Sequence, residues 1–79
     1  MTAPAELLRE TIEKRAALEG ELAAIGKKIL ELRDKLVQGE GAGLVALEIL
    51  RLRKLRESYR GQINHYSKAI RHLSKEATR

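Results

Sequence analysis

The chain has no cysteine, phenylalanine or tryptophan in its 79 residues, and a single proline. Without cysteine there is neither a disulfide nor a thiolate metal ligand. With Tyr59 and Tyr66 as the only aromatic residues, a core built on large rings is excluded. No apolar run approaches the roughly 20 residues that a membrane span needs. The opening stretch MTAPAELLRE has no basic start followed by an apolar segment, so it does not predict a secretory leader. That pattern and the missing cysteine together point to the cytoplasm. The lone proline, Pro4, suits the first turn of a helix, where its missing N–H is not needed.

Metal and catalytic constellations are also scarce. His65 and His72 stand seven apart on one helix face, and Glu57 and Glu76, the nearest carboxylates, lie more than a turn away. Two ligands do not make a zinc site, so the expectation is two solvated histidines, no metal and no cofactor. Ser58, Ser67 and Ser74 have no histidine in a fixed relation to them. Catalysis needs a pocket of convergent polar groups, and two helices offer a seam instead. A dimer could line an intersubunit site with Arg15, Lys28 and Arg51, but nothing in their spacing demands one. The expectation is a protein that is not an enzyme and takes no small-molecule substrate.

What the chain does have is Leu, Ala, Glu, Lys and Arg, the composition of long helices and coiled coils. From Leu18 the apolar residues Leu18, Leu22, Ile25, Ile29, Leu32 and Leu36 recur at steps of four and three, a heptad seam. Thr11 and Arg15 extend the same line toward the N-terminus. A second seam reads Leu52, Leu55, Tyr59, Ile63, Tyr66, Ile70, Leu73 and Ala77. Between the two lies VQGEGAGLVAL, Val37 to Leu47, with Gly39, Gly41 and Gly43 alternating.

Alternating glycines can cradle a phosphate, but that arrangement follows a strand and opens a helix, and here a helix precedes them. One continuous helix through them would cost about 3 kcal/mol. The glycines therefore predict a turn, with Gly39 closing the first helix in a left-handed conformation and Gly43 starting the second. The prediction is one all-α domain over residues 1–79. Helix 1 spans about 4–38, the turn 39–43, and helix 2 about 44–77, antiparallel as short connections require. Numbers of facing residues then add to about 82, so Ile29 meets Leu52, Leu22 meets Tyr59 and Leu8 meets Leu73. Arg15 falls near Tyr66, where its head either covers the ring or snorkels into water.

A two-helix hairpin uses one seam per helix, and this chain has more. Ala16, Ala23, Leu30 and Val37 repeat every seven residues, with Ile12 near the same line. That line sits about 100° round helix 1 from the first seam. Helix 2 is apolar almost all round between Leu44 and Leu55, with Leu47 and Leu50 pointing away from the inner face. Contiguous exposed apolar surface marks an interface. The expected partners are a second copy, giving a four-helix bundle, and another protein. The interface residues are Ala16, Ala23, Leu30, Val37, Leu44, Leu47 and Leu50.

Charge divides the chain unevenly. Residues 1–38 hold seven bases and seven acids, whereas residues 44–79 hold nine bases against three acids. Arg53, Arg60, Lys68, Arg71 and Lys75 share one sector of helix 2. Such a stripe is either a solvated outer face or a footprint for nucleic acid, an acidic partner or an anionic surface.

The turn QGEGAG with its Leu/Ile seam resembles the two-helix export chaperones of bacterial type III secretion, which hold a needle subunit. The basic run LRLRKLRESYRGQI is similar to the second helix of small ribosomal-protein hairpins. The architecture as a whole resembles plasmid copy-control hairpins that dimerise into four-helix bundles. Those resemblances imply three kinds of work: clamping a partner, binding RNA, or assembling. The reading favoured is a non-catalytic adaptor, chaperone or inhibitor acting through the apolar surface near the turn; the second is a nucleic-acid binder using the basic stripe.

Overall fold

A computed structural model describes residues 3–78 as two packed helices, α1 (Pro4–Val37) and α2 (Ala42–Ala77). The outermost residues of the expected 1–79 domain, and Arg79 of the basic count, lie outside that range. Pro4 sits in the first turn of α1, as its fixed φ and missing N–H favour. Glu6 in the first turn and Lys35 in the last complement the helix dipole. α2 starts with neither a side-chain cap nor an acid in its first turn.

The chain reverses within four residues. Gln38 caps α1, and Gly39 follows at φ 78°. Gly39 N–H donates to Leu36 O at 3.0 Å, and Glu40 N–H donates to Lys35 O at 2.9 Å. That pair of bonds is the Schellman closure, which satisfies carbonyls a helix end would otherwise leave open. Gly41 then takes φ 56° and serves as the N-cap of α2. Gly43, expected to start α2, lies inside its first turn instead. The reason is geometric: once Gly39 has closed α1, a second left-handed residue two positions later completes the reversal.

The two seams meet where the numbers of facing residues add to about 81. Ile25, Ile29 and Leu32 of α1 form one buried cluster with Ile49 and Leu52 of α2. Leu36, Val45, Leu55 and Tyr59 flank it, partly buried. One polar tie crosses between the helices in the same register, from Arg15 to Ser67. Toward the open end the seam loosens. Leu8, Leu18, Ile63, Ile70 and Leu73 are only half-buried there.

The hairpin is a rod, 58 × 18 × 14 Å. It exposes 5981 Å², whereas a compact chain of its mass exposes about 4,800 Å². No helix among the described residues is long and apolar enough to cross a membrane.

Candidate interaction surface

The residues expected at an interface are all on the outside of the isolated hairpin. Val37 is 87% exposed, Leu44 80%, Leu47 64%, Leu30 60% and Leu50 53%. Ala16 and Ala23 are exposed as well. The five large ones crowd the tip. Leu30 and Val37 close the last turns of α1, while Leu44, Leu47 and Leu50 open α2 on its outer side. They are outside because each helix has a single inward face, and Ile25, Ile29, Leu32, Ile49 and Leu52 already fill it. Burying one large aliphatic side chain is worth about 1.5–3 kcal/mol, so five left in water leave a substantial stabilisation unused.

Beside this tip is a shallow recess of about 300 Å³ between the helices. Leu36, Ala46, Ile49 and Leu50 line it together with Arg33 of α1 and Arg53 of α2. Arg33 was not singled out by the charge stripe because it lies on the other helix. Its signal was nonetheless in the sequence: the residues three and four away are Ile29, Leu30, Leu36 and Val37. No carboxylate on its own helix can pair with it. One turn beyond Arg53, the Nε of Arg56 is buried with no hydrogen-bond partner.

The rest of the basic stripe runs along α2 on that side. Arg53, Arg60, Lys68, Arg71 and Lys75 are exposed. Arg60 is tied to Glu57 at 3.0 Å, whereas the other four are in no ion pair among the described residues. Arg15 donates to Ser67 Oγ at 3.5 Å and pairs with Glu19 at 3.4 Å. Its contact is thus with the residue after Tyr66, and its side chain is one-third exposed (33%).

The opposite side of the hairpin is self-satisfied. Arg51 donates from Nε and Nη2 to the two carboxylate oxygens of Glu48, at 3.0 and 2.5 Å. That pair holds the Glu48 carboxyl below the usual carboxylate range and raises the Arg51 guanidinium, and Lys28 nearby reinforces the effect on Glu48. The Glu21 carboxylate pushes the Tyr59 phenol up. Arg15 is 13 residues from Lys28 on α1, about 20 Å along the axis. Within one chain Arg15, Lys28 and Arg51 do not converge.

His72 Nε2 lies 3.2 Å from Glu76, so this carboxylate, expected to be out of reach, meets the imidazole one turn along the helix, and His65 stacks edge-on to Tyr66 with centroids 6.0 Å apart. Among the described residues no three potential metal ligands come together. Compared with protein-family models, curated proteins and solved structures, the chain matches none.

Proposed function

We propose that this hairpin is a non-catalytic protein-interaction module, a small adaptor, chaperone or inhibitor that self-associates and grips another protein through its apolar tip. The observation that carries the reading is the clustering of Leu30, Val37, Leu44, Leu47 and Leu50 at one end of the rod. Scattered single leucines would mean little, whereas five large exposed aliphatic residues at one end call for a cover. The rod's surface excess over a compact chain is comparable to the roughly 800 Å² that each partner buries in a standard interface. A dimer arranged as a four-helix bundle would remove it.

Leu47→Glu with Leu50→Glu tests this. Circular dichroism should show the helices intact, because both side chains point outward, while sedimentation and co-purification should show association, with a second copy or with another protein, lost. A wild-type chain that sediments as a monomer, with no protein co-purifying from its native host, would overturn the proposal.

A second reading has its own support in the four unpaired cations Arg53, Lys68, Arg71 and Lys75. They could follow a nucleic-acid backbone, with an affinity that falls steeply with salt and little sequence preference. Titration against duplex DNA and structured RNA at two salt concentrations decides it; silence at low salt would remove it.

A further inference from the structure

Arg33 belongs to a second heptad line on α1. Ile12, Ala16, Glu19, Ala23, Gly26, Leu30, Arg33 and Val37 follow one another at steps of 4, 3, 4, 3, 4, 3 and 4. At about 100° per residue the line drifts only about 20° per heptad, so it follows the rod, and its Arg33 borders the recess. Its members are exposed except for Gly26, which is half-buried. A Cβ built on Gly26 meets nothing within 4 Å. The line carries a base near the turn, Arg33, and an acid toward the open end, Glu19, which also pairs with Arg15 of its own helix at 3.4 Å.

We propose that a second copy of the chain covers this line, with α1 antiparallel to the partner's α1. The proposal rests on the reading that the chain self-associates, and it names the seam. Overlaying the whole line antiparallel sets Ile12 opposite the partner's Val37 and Ala16 opposite the partner's Arg33. Glu19 then lies opposite the partner's Leu30, one turn from the partner's Arg33. Ala23 faces the partner's Gly26 beside the two-fold axis, where small residues let the backbones approach. A parallel pairing would set Arg33 on the partner's Arg33 and leave both without a carboxylate.

Charge favours α1 as the joining helix. Its half of the chain holds seven bases and seven acids, whereas the half containing α2 has six more bases than acids. Joining through α1 keeps the two basic helices apart. The seven expected interface residues then divide. Ala16, Ala23, Leu30 and Val37 serve the dimer, and Leu44, Leu47 and Leu50 remain free for another protein.

A charge swap tests the seam. Arg33→Glu puts two acids at each contact of a homodimer, and Glu19→Arg puts two bases there. Each variant alone should raise the dimer dissociation constant at least about tenfold. An equimolar mixture should recover it, since a mixed dimer has an acid and a base at both contacts; native mass spectrometry and sedimentation read the species. Gly26→Leu, which has open space in the single hairpin, should block the close crossing while helicity persists. The seam is overturned if Arg33→Glu dimerises like wild type, or if the mixture stays monomeric. A dimer untouched by these changes but lost with Leu47→Glu and Leu50→Glu overturns the seam and preserves the apolar-tip reading. A monomeric wild type that instead captures a different protein through Arg33 also overturns it.

Discussion

The two ends of the hairpin are built from the same pattern and hold together differently. Near the turn, five aliphatic residues from both helices are buried, and Ile29 is only 2% exposed. Toward the open end Thr11 alone is buried among the described residues, and the aliphatic residues around it are half-wet. The difference begins on α1. Its inner seam is Ile and Leu from Leu18 to Leu36, but beyond Leu18 it meets Arg15 and Thr11. Arg15 uses its reach to find Ser67 and Glu19, and Thr11 turns its hydroxyl back onto Leu7 O at 2.6 Å. Polar residues on a seam keep it aligned without drying it. The turn end carries the stability, and the open end is where the rod comes apart first.

That contrast is broken most directly at Ile29. Ile29→Ala should cost about 2–5 kcal/mol, enough to unfold the isolated hairpin; chemical denaturation followed by circular dichroism measures it. Gly41→Ala acts on the same end through the backbone. A left-handed φ costs an L-residue about 1–2 kcal/mol, and the new methyl would meet Val45 Cγ2 at 3.2 Å. Leu73→Ala, at the open end, should lose only about 1 kcal/mol, and a loss as large as that at Ile29 would show the ends equally tight. Thr11→Val should change the sign. Leu7 O keeps its helical backbone partner, and the facing register of about 81 directs the new methyl toward α2 near Ile70. A gain of about 0.5 kcal/mol would raise the melting temperature by a few degrees.

The smallest effect is on titration. Tyr59 phenol is raised by the Glu21 carboxylate, so the folded chain holds that proton more tightly than the unfolded one. The stabilisation is present below the ordinary phenol value and is lost as pH rises through the raised one. Glu21→Gln should bring the Tyr59 transition down, read by tyrosinate absorbance with Tyr66→Phe as background. Glu48 runs the other way. Its lowered carboxyl favours the fold above the ordinary glutamate range, and that benefit fades as pH falls.

Much of the fold was legible because a heptad seam is a statement about geometry. Ile29 and Leu52, paired by the turn position alone, fall in the same buried cluster. The tip was harder. Gly39, Gly41 and Gly43 look equivalent in sequence, and only the closing bonds of α1 decide that Gly41 takes the left-handed cap and Gly43 enters the helix. The neighbour chosen for Arg15 was one residue off, since a long side chain selects a polar partner within its reach rather than the residue directly opposite. The recess went unread because it draws on both helices, and periodicity sees one helix at a time. Arg33 could have been found by asking which charges have no acid within a turn.

The four-residue reversal has a practical consequence. It folds the rod in half, so residues 3 and 78 lie together at the open end. They are about 50 Å from the apolar tip along 34 residues of helix. Any label, surface linkage or fused domain joined at either end is held away from Leu44, Leu47 and Leu50 by the length of the molecule. The hairpin thus has the dimensions of a spacer: distance sensors placed at the open end and on the tip would read bending of the rod.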